Sequence, residues 1–559
     1  MGCINHYIQI NISKMKKYKY IYIITSFLML FLIAGCSEEI LEENPTEFLT
    51  ESNTFTSEEG FEAGLVSMYS GVRDDLFGGG VVSFFDHFGT DITTGGEIGF
   101  LTTYDLLTPI WFQDYKWNWA YLTTLPSANM VIQNIDNIEW SSEENKNRVL
   151  AEARFGRAYV YNVLANSFGG VPIVSEVAST PKLDYVRASR LEVLEFARQD
   201  LMFAAANLPS VALQDGRASS AAANHLLTEV YLSMGRESGD ASFYDSAIQA
   251  ASNVIDGGDY QLITERFGSA ADQPGDYYSD IFKAGNQDRA SGNTEVIFTV
   301  QFQFGTPGGQ GPNSNGNFNL RVFGPRYFDL LDPNGEPGFI LTTDSIGRGI
   351  GWARLTPYFY EQVLSDPNDM RNSQYNIRRD WYYNNPDSEF FGQLFDPESN
   401  PFFGLDRRDT IQRYFPMIRK VEGPLLNGPT SGGMYNDHIV MRLSETYLLR
   451  AEAYMLAGNT AAAAEDINVV RTRANATPIT AADVDIDFIL DERARELIVE
   501  EQRRRTLSRT NMLYDRVSRF AWLESIRTSV QPFHNLLPIP QSAIDANTGA
   551  KLEQNPGYN

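Results

Sequence analysis

Three stretches of this chain exchange small and large apolar residues at helical spacing, and that pattern leaves few folds open. In 151–168, Phe155, Tyr159, Val163 and Leu164 recur at three- and four-residue steps among alanines, and the run stops at Gly169-Gly170 with Pro172 behind it. A glycine ends a helix readily, and proline cannot continue one. Residues 218–234 repeat the theme with Ala222, Leu226, Val230 and Leu232, stop near Gly235, and are followed by a second helix over 244–255. Residues 439–456 carry Leu443, Tyr447, Ala451 and Tyr454 and stop at Gly458, after which Thr460 caps a helix over 461–473. Closely packed helix pairs need a small residue opposite each large one, so these segments read as tetratricopeptide-like helical hairpins. Their uneven spacing excludes a plain tandem array and requires long insertions between repeats.

Two further helices are predicted outside the hairpins. One spans 57–72, where Ser57 caps a first turn holding Glu58 and Glu59 and where Phe61, Leu65 and Met68 face one way. The other lies around 119–138. The insertions differ in kind. Residues 78–115 mix glycines with aromatics, and 260–436 are rich in Gly, Pro, Asn and aromatics. Within the second insertion, 295–304 alternates as a strand (Val296, Phe298, Val300, Phe302) before a glycine- and asparagine-rich loop. The expected fold is mostly α, a helical scaffold at about 55–75, 119–260 and 437–530 with a loop-rich lobe containing short strands at about 76–118 and 261–436. Residues 55–559 are read as one domain.

The first residues carry an address. Lys14, Lys16, Lys17 and Lys19 precede an apolar run over 20–34 that is shorter than the ~20 residues a spanning helix needs. It ends in Leu32-Ile33-Ala34-Gly35-Cys36, which resembles a bacterial lipobox. The resemblance implies a signal peptide at 15–35, cleavage before Cys36, lipidation of Cys36, and a tether over 36–54. Met15 begins a more typical leader than Met1. Ser37-Glu38-Glu39 resembles a surface-export signal. Cys3 and Cys36 are the chain's two cysteines, so the mature protein would hold no disulfide and rely on its core.

Catalytic signatures are scarce. The five histidines show no metal-ligand spacing, and there is no phosphate loop and no nucleophile elbow. Scattered Asp and Asn residues form no loop with calcium-ligand spacing; no cofactor is assigned, and a structural calcium ion is left open. The formal net charge of −26 opposes nucleic acid, whose binding depends on cations that neutralise phosphates. It mildly disfavours anionic polymers too, although a basic stretch such as 371–379 would reverse that locally.

Several motifs together resemble the SusD/RagB family of outer-membrane nutrient-binding lipoproteins. They are Arg442-Leu443-Ser444-Glu445-Thr446-Tyr447-Leu448-Leu449-Arg450-Ala451-Glu452-Ala453-Tyr454, Asp466-Ile467-Asn468-Val469-Val470-Arg471-Thr472-Arg473, Glu492-Arg493-Ala494-Arg495-Glu496-Leu497, Arg157-Ala158-Tyr159 with Phe168-Gly169-Gly170, and the closing Asn555-Pro556-Gly557-Tyr558. The resemblance implies a lipid-anchored, surface-exposed protein of the outer membrane. It would capture oligo- or polysaccharide, without chemistry, for a SusC-like TonB-dependent transporter. The charged motif residues read as structural, since carboxylates alternating with arginines stay ionised and paired.

Sugars present C–H faces to aromatic rings and hydroxyls to neighbouring polar groups, so the site is sought where aromatics and short polar residues share a loop. Two zones qualify, 85–117 and 277–383. The candidates are Trp352, Trp111, Asp91, Tyr104, Tyr278, Phe304, Arg354 and Tyr358, with Asp86, His87, Tyr115, Tyr277, Asn313, Asn315, Phe318 and the Trp381-Tyr382-Tyr383 cluster beside them. A peptide ligand in the same import system, a glycoside hydrolase and a protein-binding scaffold are the alternatives.

Overall fold

A computed structural model describes residues 54–558 except 78–79, 97–100, 112, 178–179, 307, 310–315, 345 and 432. Cys36, the leader, the tether up to residue 53, Asn313 and Asn315 lie outside the described residues. Residues from Phe55 onward form one compact unit.

The frame is a stack of helices in which each packs on the next. It runs α1 Glu58–Phe77, α2 Leu125–Asn134, α3 Glu143–Phe168, α4 Arg190–Asn207, α5 Ser220–Ser238, α6 Ser242–Ile255, α7 Leu443–Leu456 and α8 Thr460–Arg473. Helices α9 Ile486–Leu497, α10 Arg503–Arg509 and α11 Leu513–Phe520 close it. The hairpin pattern holds in α5–α6 and α7–α8, and α6 against α7 joins the two through Leu232, Ala247, Leu449 and Ala453.

The partner of α3 is α4, a helix not read from the sequence. Its start carries a capping box, in which the Ser189 side chain accepts from the Glu192 backbone N–H and Glu192 reaches back to Ser189. Its apolar face is diluted by charge, and one of those charges is internal: Asp200 accepts a bidentate pair from Arg157 at 2.7 and 2.9 Å. Gly235 does not end α5, which continues to Ser238. It lets the Tyr244 ring approach; a Cβ there would sit 2.4 Å from Tyr244 Cε1.

Residues 439–442, expected to begin a helix, are instead strand. β6 His438–Arg442 pairs antiparallel with β2 Val296–Val300, and Val296 faces Arg442 across the ladder. Ile439 and Val440 are β-branched and sit among residues buried on both faces, which suits a strand better than a helix start. Two smaller antiparallel pairs, β1 Thr93–Gly95 with β3 Ala353–Leu355 and β4 Ile377–Arg378 with β5 Met417–Ile418, organise the loop lobe.

A buried lattice of charges fastens lobe to frame. Arg442 at the end of β6 binds Glu295 at 2.7 Å, Glu500 at 2.6 Å, and Glu496. Arg473 binds Glu295 at 2.7 Å and also Glu496. From the lobe, Arg371 reaches Asp369 at 2.7 Å, Glu492 at 2.8 Å and Glu496 at 2.9 Å. Pairing therefore runs mainly between elements, with Arg495 and Glu492 paired along α9 at 2.8 Å. It also takes up the supposed basic loop: Arg371 is buried, Arg378 binds Glu422 at 2.7 Å, and Arg379 donates to the Asn372 carbonyl at 3.2 Å. Among the described residues no helix is long and apolar enough to cross a membrane.

Candidate functional site

The lobe's first sheet is built around glycine. Gly96 donates its N–H to the Trp352 carbonyl at 2.9 Å, and a Cβ on Gly96 would fall 1.9 Å from the Gly351 carbonyl oxygen. Side chains along β3 alternate: Ala353 and Leu355 are buried, whereas Trp352 just before the strand and Arg354 within it are half-buried on the opposite face. On that face two cation–ring stacks form. The Arg321 guanidinium lies 4.9 Å from the Trp352 ring centre, and Arg354 lies 4.3 Å from that of Trp522. Arg354 also donates to the Thr410 carbonyl, which ties the shelf to the 409–413 turn. Phe318 backs Arg321 at 5.5 Å and Phe415 backs Arg354 at 5.6 Å. The result is a partly open surface of two indoles and two guanidiniums, suited to a planar or ring-bearing ligand with polar edges.

Phe304 is 46% exposed and sits edge-on to Tyr435 at 5.0 Å. The Asn317–Met434 bridge brings Tyr435 beside the segment that carries Phe318 and Arg321. Trp111 is half-buried and packs edge-on against Phe85 at 6.0 Å. Of the Trp381-Tyr382-Tyr383 cluster, Trp381 and Tyr383 are buried and Tyr382 is exposed.

Four candidates leave the surface altogether. Asp91 is buried and takes both Nε and Nη2 of Arg503, at 2.9 and 2.6 Å, and Nε of Arg516 at 3.0 Å. Burial alone would raise its carboxyl, but the two arginines outweigh that and hold it at about 2. Tyr104 is buried, donates to the Gly89 carbonyl at 2.9 Å and accepts from Arg504 at 3.3 Å. Tyr278 is buried and donates to the Glu496 carbonyl at 2.8 Å. Tyr358 stacks on Phe520 at 4.1 Å, and its hydroxyl meets Asp491 at 3.0 Å and Arg516 at 3.2 Å. These loops are packed onto the frame, so their aromatics and acids act as bolts and are not presented to a ligand. Asp86 and His87 are buried likewise, and burial pushes the His87 imidazole down to about 3. Tyr115 donates to the Asp74 carbonyl and Tyr277 to that of Arg473 at 2.7 Å.

Trp522 and Arg321 were missed. Trp522 follows α11 and reads as frame; nothing in its local sequence announces that it stacks with a residue of β3.

A cavity of about 780 Å³ lies elsewhere, in the frame, lined by Arg187, Arg190, Arg236 and Arg509. Its cations are engaged: Arg190 with Glu237 at 3.0 Å, Arg509 and Arg236 with Glu452 at 2.6 and 3.2 Å, and Arg187 with the Gly170 carbonyl at 2.7 Å. Among the described residues, no group of three or more His, Cys, Asp or Glu side chains is arranged to hold a metal ion.

Comparison with known proteins agrees with this architecture. A model described as the SusD family matches residues 362–558, and one described as starch-binding associating with the outer membrane matches 107–232. Both models are of SusD type, one matching an N-terminal stretch of the chain and the other its C-terminal part. A SusD-like protein of Formosa agariphila is 25% identical over 554 residues, covering 92% of this chain and 95% of the relative. Two solved structures share the fold. A laminarin-binding SusD-like protein has a TM-score of 0.66 at 23% identity, covering 90% of this chain and all of the other. The surface glycan-binding protein A of Bacteroides thetaiotaomicron, in complex with laminarihexaose, has a TM-score of 0.66 at 21% identity, covering 89% of this chain and all of the other.

Proposed function

We propose that the chain is a cell-surface glycan-binding lipoprotein that holds an oligo- or polysaccharide on the Trp352–Trp522 shelf and hands it to a SusC-like TonB-dependent transporter. The observation that carries the reading is the pair of half-buried indoles, each stacked with an arginine, over one face of a two-stranded sheet: Trp352 leads into β3, and Trp522 of the frame stacks on Arg354. Rings supply faces for sugar C–H groups, and the guanidinium edges supply donors for oxygens. A family relationship to proteins described as starch-binding, and a shared fold with laminarin-binding structures, support a glycan as ligand. Binding here needs no bond to break; the shelf has stacking surfaces and donors, and the buried carboxylates Asp91, Glu492 and Glu496 are locked to arginines. Attachment through lipidated Cys36 would leave the shelf free to close over the transporter.

Isothermal titration against a panel of polysaccharides tests this, with reducing ends assayed in parallel. Trp352→Ala is expected to weaken binding at least tenfold, about 1.4 kcal/mol or more, with unchanged melting. Trp111→Ala, whose ring packs on Phe85, is expected to change affinity by no more than about twofold, close to 0.4 kcal/mol. Undiminished binding by Trp352→Ala, or release of new reducing ends, would contradict the reading.

A further inference from the structure

Resting on that reading, we infer that the ligand is an anionic polysaccharide, one bearing sulfate esters or uronate carboxylates, and that Arg321, Arg348 and Arg354 recognise its charges. The chain carries 71 acidic against 45 basic residues, so a cation without a carboxylate is a departure from its surroundings. Other buried and half-buried arginines are held by carboxylates: Arg503 and Arg516 by Asp91, and Arg450 by Asp466 at 2.8 Å. Around Trp352 they are not. Among the described residues neither Arg321 nor Arg348 has a side-chain hydrogen bond or ion pair, and Arg354 has the Thr410 carbonyl alone. The Nε atoms of Arg321 and Arg354 are buried without a partner.

Electrostatics point the same way. Burial lowers the pKa of all three guanidiniums, and no carboxylate offsets it. Arg348 adds to the effect at Arg321, and Arg326 adds to it at Arg348, so the cations repel along a row. Partly desolvated cations that repel one another are unfavourable in the empty protein and become favourable when an anion arrives. The stacks on Trp352 and Trp522 fix the planes of Arg321 and Arg354, which leaves their N–H edges for the forked pairing that sulfate and carboxylate accept. Trp352 and Arg354 lie two residues apart on one face, about 7 Å along the strand, so a ring on the indole sets its substituents beside the guanidinium. A neutral glycan would use the indoles and leave the row unpaired.

Four probes separate the sources of charge: λ-carrageenan and its desulfated form, polygalacturonate and its methyl-esterified form. Titrated into the full mature chain, at least one charged polymer is expected to bind roughly tenfold or more tightly than its neutral twin. Its affinity should fall as NaCl rises from about 50 to about 300 mM. Arg321→Gln and Arg354→Gln should each weaken it by about tenfold. Arg348→Gln, which removes no hydrogen bond within the protein, should also weaken it and keeps the test open if Arg354→Gln folds poorly. Which twin pair responds tells sulfate from carboxylate. Equal, salt-independent binding of charged and neutral twins, lost in Trp352→Ala, overturns the charge assignment and leaves the glycan reading standing. Poly-L-glutamate binding as tightly as the best polysaccharide overturns it too, since charge alone would then be read. Binding of none of the four while a neutral polysaccharide of the wider panel binds overturns the charge assignment alone, and binding of no polysaccharide in that panel overturns both.

Discussion

Arg442→Met is expected to destabilise the protein by about 3–5 kcal/mol, seen as a large drop in the urea midpoint. The side chain is 1% exposed and holds Glu295, Glu496 and Glu500 together. Removing it leaves three carboxylates in the interior with Arg473, Arg371 and Lys420 as their remaining nearby cations. An uncompensated buried charge costs far more than a lost surface pair. Arg408→Ala makes the contrast: Arg408 is mostly exposed and pairs with Asp406 on the lobe surface, where solvent screens the pair, so the urea midpoint is expected to stay close to that of the parent protein. Equal effects from the two substitutions would show that the buried lattice does not hold lobe to frame.

Acid is expected to unfold the protein cooperatively between about pH 4.5 and about pH 2. Burial alone would raise Glu445, Glu452 and Glu492, but Arg493 beside the first, Arg509 and Arg236 beside the second, and Arg371, Arg495 and Arg471 around the third hold each at about 2. Asp91 is held at about 2 by Arg503 and Arg516. In the unfolded chain these groups titrate near 4.3 for Glu and 3.9 for Asp. Folded values below unfolded ones mean that the stabilisation is complete above the unfolded pKa and is lost as pH falls through the folded one. Each group contributes on the order of 3 kcal/mol at neutral pH by this linkage, so losing several exceeds the stability of an ordinary domain. Circular dichroism against pH checks it; a fold intact at pH 2 would contradict the ionised state of the lattice.

The frame was legible because paired helices write their packing into every third or fourth residue. Phe155, Tyr159 and Val163 are all buried, as their spacing requires. Helix α4 escaped because its identity lay in a cap, Ser189 with Glu192, and in one internal ion pair, not in an apolar stripe. Strand β6 was misread because a short apolar run before a helix has no period long enough to tell the two apart, and its partner β2 lies far away in sequence. The site was legible only in part. Trp352 and Arg354 alternate outward from β3, and Phe304 is exposed, but Asp91, Tyr104, Tyr278 and Tyr358 sit in loops of the same composition and face inward. Composition describes a loop; which side chains it turns outward depends on the frame beneath it. Trp522 reaches the shelf by a long-range stack that no local pattern records.

Hydrogen–deuterium exchange of the mature chain, with and without the polysaccharide that titrates to it, locates the ligand directly. Protection is expected in peptides spanning 316–324, 348–356 and 520–524, with the 443–497 helices unchanged because their hydrogen bonds are already formed. Protection confined to the frame cavity around Arg187 and Arg236, with the Trp352 peptides untouched, would place the ligand elsewhere and end the case for the shelf.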